Sequence, residues 1–215
     1  MRCGPSSIRD WIDDVATLVT PARADVEDAE NHYDPGPAQR RSGFTAGLFF
    51  GPAGGASDGY LNELAKIGNP DYRQNTGFVA GSSSGFWLGG ALRDWFVFGL
   101  GFRGATIEGN GKRSEGSSFV LHVEAFPLFA RGGVFRDISL FSEFGAGSRK
   151  IVEHGQTVAD AGFVSQIAVG AQWEAFRFWS HFAGGPMLLV SHEWSESMTT
   201  TYGALAFRLA FYGGP

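Results

Sequence analysis

From residue 43 onward, apolar residues alternate with polar or small residues, which is the period-two pattern of a β-strand whose two faces differ. The pattern predicts eight strands, at roughly 43–53, 77–92, 95–107, 118–129, 138–149, 161–174, 177–190 and 201–212. Most of these stretches reach the ~9–11 residues that a tilted strand needs to cross a membrane. The predicted fold class is therefore all-β.

The connections between these strands alternate in length. Long connections are predicted at 54–76, 108–117, 150–160 and 191–200, and short ones near 93–94, 130–137 and 174–177. Outer-membrane barrels have short periplasmic turns and longer external loops. The order of long and short connections thus predicts an eight-stranded antiparallel up-and-down transmembrane β-barrel, with both chain ends on the short-turn side.

The two faces of the strands differ in a way that predicts which side meets lipid. One face of the third and of the last strand carries large apolar residues: Phe96, Phe98, Leu100, Phe102, Leu205, Phe207, Leu209 and Phe211. The other face is mostly Gly and Ala with isolated charges, which suits the crowded interior of a small barrel. In the second strand, Ser82 and Ser84 share the apolar face. Either a bulge changes the phase there, or the membrane-crossing part begins at Gly85.

The charged residues of the small-residue face are the candidate functional residues. This register points six of them into the lumen: Arg103, His122, Glu124, Glu143, His181 and Arg208. A narrow lumen removes water from these groups, so opposite charges should pair. The expected result is a network of ion pairs that plugs the barrel. A gated ion path through rearranged pairs and a catalytic pair of His122 with Glu124 remain alternatives.

Composition narrows the class of protein further. The 215 residues include 32 Gly and 20 Phe, only 18% charged residues and a single Cys, with a net charge of −5. The glycines have no three-residue period, so the chain is not collagen-like. One Cys excludes an internal disulfide framework, and the acidic balance predicts no nucleic-acid partner. We expect no metal and no cofactor.

Residues 1–42 form a polar N-terminal extension, and residues 43–215 form the barrel. Ser7 to Val19 could make one short amphipathic helix. The sequence at 22–24 has the small-residue form of a signal cleavage site, with Ala24 as the cleavage candidate. Asp10, Asp13 and Asp14 interrupt the apolar core that a secretory signal needs, so a signal peptide is not convincingly present.

The segment 43–212 resembles small bacterial outer-membrane β-barrels of the outer membrane protein A transmembrane type. The resemblance rests on the eight-strand meander, the abundance of Gly and Phe, and the closing stretch 202–211, YGALAFRLAF. That stretch is similar to the family's C-terminal assembly signal, although residues 212–215 extend past the usual final aromatic. The resemblance implies a location in the outer membrane of a Gram-negative envelope, a monomer, and two partners: membrane lipid and the barrel-assembly machinery.

The expected function is a structural outer-membrane barrel whose surface loops serve envelope integrity or interaction, with a plugged lumen or a narrow pore. One alternative is a soluble lipocalin-like calyx that turns its Phe-rich faces inward around an apolar ligand. A weaker alternative is a lipid-modifying hydrolase at the rim, using the neighbouring Ser191, His192 and Glu193.

Two local features complete the expectations. The segment Asp58 to Gly68 is expected to form a short helix, which either covers the barrel mouth, the favoured alternative, or binds a surface partner. The tryptophans near the short-turn ends either form an aromatic girdle at one membrane interface or pack as ordinary core aromatics; they are Trp87, Trp95, Trp173 and Trp179.

Overall fold

The computed structural model describes residues 40–131 and 133–214. These residues form one antiparallel sheet of eleven strands. The strands are β1 Gly43–Gly59, β2 Gln74–Asn75, β3 Val79–Arg93, β4 Phe96–Gly109, β5 Lys112–Ala125, β6 Ile138–Glu153, β7 Gln156–Asp160, β8 Val164–Trp173, β9 Phe176–Phe178, β10 Phe182–Trp194 and β11 Met198–Tyr212. The helix expected at Ser7 to Val19 and the cleavage candidate after Ala24 lie outside the described residues.

Eight long strands make the wall of a closed barrel. Their order is β11-β1-β3-β4-β5-β6-β8-β10, and β10 pairs again with β11, which closes the sheet. The short strands β2, β7 and β9 pair with β1, β6 and β10. The predicted eight-stranded antiparallel barrel is confirmed.

Large apolar residues cover the outside of the wall. All eight residues predicted to face lipid lie on this outer face, where Phe98, Leu100 and Phe102 are 39–53% exposed. Strand rise and tilt give the apolar belt a height of roughly 15 Å between its outermost Cα atoms. A soluble calyx would need these side chains inside, so the register contradicts that alternative.

The second predicted strand keeps one register throughout. Strand β3 pairs without a shift from Val79 to Ala91 against β1, and from Ala80 to Ala91 against β4. No bulge lies near the serines, so that explanation was wrong. Ser82 and Ser84 face outward, and the apolar belt on this strand begins at Phe86.

Three of the four predicted long loops are much shorter than expected. Strands β4 and β5 join through Asn110–Gly111, and β6 and β7 through His154–Gly155, with positive φ at both residues of each turn. Two-residue turns of this kind match the twist of paired strands. The ladders continue past the apolar belt because backbone pairing does not require apolar side chains. The sequence interpretation had therefore assigned the polar ends of these strands to loops.

The helix expected at Asp58 to Gly68 does not form. Strand β1 runs on to Gly59, and Tyr60 is then fixed by two backbone hydrogen bonds: its N–H donates to Ser197 O at 2.8 Å, and its carbonyl accepts from Asp160 N at 3.1 Å. Only one turn follows, in which Glu63 O accepts from the N–H groups of residues 66 and 67. Tyr60 thereby joins the end of β1 to the end of β7 and to the residue before β11.

The short-turn end also differs from the prediction at one strand. Strand β8 stops at Trp173, and the turn lies at Trp179–His181 rather than at 174–177. Pro186 has no N–H to donate, and the pairing of β8 with β10 ends at Met187. The described residues also form three short 3₁₀ helices, Pro70–Tyr72, Phe129–Arg131 and Gly133–Asp137, and none of them is long and apolar enough to cross a membrane.

Candidate functional site

Four arginines and four glutamates are buried inside the barrel, and they pair one to one. We call the end of the barrel with the predicted short turns, where β1 begins and β11 ends, the turn end, and the opposite end the tip. From the turn end to the tip, the pairs are Arg41–Glu174, Arg208–Glu124, Arg103–Glu143 and Arg149–Glu193. Each pair joins residues that lie far apart along the chain. The candidate site is therefore the barrel interior, built as a stack of ion pairs.

The pair nearest the turn end is formed by a residue that precedes β1. Arg41 places one guanidinium nitrogen 2.8 Å from Glu174 and 2.7 Å from Asp137, and its guanidinium lies 3.5 Å above the ring of Phe126. Burial alone would lower the pKa of Arg41, but the charge of Glu174 raises it above its ordinary value, so the guanidinium stays charged. Arg41, assigned by sequence to the N-terminal extension, thus packs with the barrel.

The middle of the lumen brings together five of the six residues predicted to face it. Arg208 donates to both oxygens of Glu124 at 2.7 Å. His122 contacts two carboxylates, through Nδ1 to Glu143 at 2.8 Å and through Nε2 to Glu124 at 3.5 Å. Arg103 completes the cluster by pairing with Glu143.

Aromatic rings pack this cluster in place. Trp87 stacks on His122, with centroids 4.8 Å apart and planes within 7°, and the guanidinium of Arg208 lies 5.0 Å from the Trp87 ring. Trp87 is therefore an interior core residue and does not belong to a girdle. Trp95, Trp173 and Trp179 are exposed at the turn end.

His181 does not join the interior cluster, contrary to the prediction. It lies in the turn after β9, where the residues before it have positive φ, and it is exposed. Its Nδ1 is 2.9 Å from the carbonyl oxygen of Tyr212. The prediction failed because the break near Pro186 moved the turn into the segment that had been interpreted as strand.

At the tip, the lumen holds a pair that the sequence interpretation missed. Arg149 contacts Glu193 through Nη2 at 3.0 Å and donates to Ser114 Oγ at 3.2 Å. Ser57 Oγ donates to the same Ser114 hydroxyl at 2.7 Å and lies 2.8 Å from Thr200 Oγ1. Arg149 lies on the same inward face of β6 as Glu143. The period-two alternation of that strand could therefore have identified it as an inward residue.

A small apolar cluster lies beyond this pair, at the mouth. Its members are Ile151, Ala159, Ala161, Val164 and Met198, all buried. Ser197 Oγ donates to Asp160 O at 3.0 Å beside it. Together with the bonds of Tyr60, these contacts connect strand ends from several sides of the mouth.

The proposed rim hydrolase lacks the geometry it needs. Ser191 and Glu193 are buried on the inward face, whereas His192 is exposed on the outer face and bonds Thr201 Oγ1 at 2.8 Å. Successive residues of a strand point to opposite faces, so His192 cannot serve Ser191 as a base. Within 40–131 and 133–214, no group of three or more His, Cys, Asp or Glu side chains could hold a metal ion.

A closed sheet, an apolar outer belt and an ion-paired interior give the chain the architecture of a small outer-membrane β-barrel, because only helices and closed barrels satisfy the backbone in lipid. Several solved barrels are similar. Ail of Yersinia pestis is 11% identical with a TM-score of 0.48, covering 78% of this chain and 98% of its own. Neisserial surface protein A is 7% identical, with a TM-score of 0.46 and coverages of 78% and 96%.

OprG of Pseudomonas aeruginosa is 10% identical, with a TM-score of 0.41, covering 81% of this chain and 99% of its own. No protein-family model matches the sequence, and no curated protein matches it significantly. The class therefore rests on the geometry of the barrel itself.

Proposed function

We propose that this protein is a structural outer-membrane barrel without catalysis, whose lumen is closed by its own side chains. The stack of four buried Arg–Glu pairs carries this proposal. A passing ion would have to separate desolvated charges at each level, and breaking one such pair costs several kcal/mol. The protein then contributes to envelope integrity rather than to solute flow.

The outer surface of the barrel supports this role. The apolar belt suits membrane lipid as the surrounding partner. With most tip connections short, the exposed surface consists mainly of polar barrel wall and the single long segment after β1. Interaction with other molecules would use that wall more than loops.

We also propose that the assembly machinery engages β11 and that the barrel is a monomer. Residues beyond the last aromatic of β11 do not interrupt the strand pairing. Gly213 N donates to Phe44 O at 2.7 Å, and Gly214 N donates to Ser42 O at 3.0 Å. The tail thus extends the ladder with β1, which leaves the alternating face of β11 intact as a signal.

Conductance across a planar bilayer tests the closed lumen. After a heat-dependent shift in SDS gel mobility has shown that the barrel is folded, we expect no steady open level from the wild type. Replacing Arg103 and Glu143 together by Ala removes one barrier without leaving a lone charge, so transient openings should become more frequent.

A matched control replaces Lys150 and Glu115 by Ala. These two residues form a 3.1 Å pair on the outer wall, so their removal keeps the charge balance but leaves the lumen untouched. The control should behave as the wild type does. A stable conducting level in the wild type would contradict the closed lumen and favour a narrow pore.

A further inference from the structure

A polar groove of about 560 Å³ lies along the wall from β3 to β7, near the tip. Its lining includes the outward hydroxyl side chains of Ser82, Ser84, Thr106, Ser117 and Ser148. Large apolar residues are absent from this lining. The groove lies on the outside of the barrel, and Arg149, which pairs with Glu193 in the lumen, also borders it.

The groove begins where the apolar belt ends. Phe86, Phe102 and Phe119 form the upper edge of the belt on three adjacent strands, with ring centroids 5.6 and 5.3 Å apart. Ser84 and Ser117 occupy the next outward positions on their strands. When the belt is immersed in hydrocarbon, a molecule in the groove lies at the level of the lipid headgroups.

Charges of both signs border the hydroxyl lining. Lys150 lies 3.1 Å from Glu115, which also pairs with Arg113 at 3.2 Å, and the two cations remain about half exposed. Asp160 adds a second carboxylate to the lining. This balance of charge does not favour a plain anion. Hydroxyls, carboxylates and an accessible ammonium together suit a ligand with many hydroxyl groups that also carries phosphate.

The floor of the groove is left open by a glycine. A Cβ added at Gly104 would have only the Gly116 carbonyl oxygen near it, at 3.6 Å, so this position has room for a side chain. Gly203 on β11 is an equivalent outward glycine, with only Leu189 O near its added Cβ, also at 3.6 Å. It does not line the groove, which makes it a matched control.

We propose that this groove binds the phosphorylated saccharide headgroup of a glycolipid anchored in the same leaflet. The hydroxyl and carboxylate side chains bind the sugar hydroxyls, and Lys150 contacts a phosphate. The glycolipid is the source of the saccharide because the groove opens directly onto the edge of the apolar belt, where acyl chains would lie. This inference rests on the proposed function, since it requires the barrel to span a membrane.

Binding is tested with the full chain refolded in zwitterionic detergent micelles. Three probes are titrated: lipopolysaccharide, phosphatidylglycerol, and the free oligosaccharide released from the same lipopolysaccharide. We expect the wild type to bind lipopolysaccharide about tenfold more tightly than either other probe. Gly104→Trp should weaken that binding about tenfold by filling the groove, whereas Gly203→Trp should leave it unchanged. Lys150→Gln should weaken it by a smaller factor.

Several results would overturn the inference. Wild-type affinity in Gly104→Trp would show that the groove is not the binding site. Equal binding of phosphatidylglycerol would show that the groove binds anionic lipids in general and does not select a saccharide headgroup. Equal binding of the free oligosaccharide would refute an anchored source, and unchanged binding in Lys150→Gln would refute the phosphate contact. Heat-dependent gel mobility is recorded for each variant. A wild type without the mobility shift would instead refute the membrane barrel itself.

Discussion

Replacing Arg208 by Met should strongly destabilise the folded barrel, because the Glu124 carboxylate then stays buried without its main partner. Arg208 donates two 2.7 Å hydrogen bonds to Glu124, and both side chains are almost completely shielded from solvent. Removing one partner of such a pair costs about 3–5 kcal/mol. His122, 3.5 Å from Glu124, supplies a second partner. We therefore expect the free energy of unfolding to fall by about 3 kcal/mol, near the lower end of that range.

The double variant Arg208→Met with Glu124→Leu separates charge from packing. Replacing both partners by apolar residues is often neutral or stabilising, so its free energy of unfolding should lie within about 1 kcal/mol of the wild type. Urea-dependent folding into phospholipid vesicles, followed by tryptophan fluorescence, gives both values.

The exposed pair of Lys150 and Glu115 provides the comparison for the variants of the buried pair Arg208 and Glu124. Removing Lys150 alone should cost less than about 1 kcal/mol, because water solvates the glutamate that is left. The reasoning fails if Arg208→Met also costs less than about 1 kcal/mol, or if the double variant costs as much as the two single variants summed.

Two further predictions concern the wall. Phe98→Arg, on the lipid-facing side, should cost about 2–4 kcal/mol in the same vesicle assay, whereas Glu108→Arg beyond the belt should cost less than about 1 kcal/mol; equal losses would contradict the position of the belt. Gly101→Ala should abolish the heat-shifted gel band, because its Cβ would overlap the Phe86 carbonyl oxygen, whereas Gly104→Ala should keep the band. A folded Gly101→Ala protein would show that the register between β3 and β4 is wrong.

The faces of the strands could be predicted from sequence, but the ends of the strands could not. The alternation from Phe96 to Phe102 places one set of side chains outward whichever residue begins the strand. At 113–117 both faces are polar, so nothing in the sequence distinguishes wall from loop. Pairing continues there because the neighbouring strand supplies backbone partners, which is a property of the closed sheet rather than of the segment.

The interior residues could be predicted individually, but their pairing could not. Period two identified Glu124 and Arg208 as inward residues, yet they are 84 positions apart and meet only because the sheet closes. Glu193 was missed because it lay in a segment assigned to a loop, and Arg149 was missed because it was the last residue of its predicted strand. Arg41 precedes the first strand, so no strand pattern could place it in the barrel. The pairing of each interior residue depends on how segments that are distant in sequence are arranged in the folded barrel.

The unusual abundance of glycine follows from the size of the side chains inside. A Cβ added at Gly47 would overlap the indole of Trp87, and one added at Gly99 would lie 3.1 Å from the same ring. Trp87 in turn supports His122 and Arg208, which hold the central carboxylates. The small residues on the inner face thus make room for the few large polar and aromatic ones, while phenylalanine is concentrated on the outer face. The high content of both Gly and Phe therefore has one cause, a narrow barrel that packs its lumen and meets lipid.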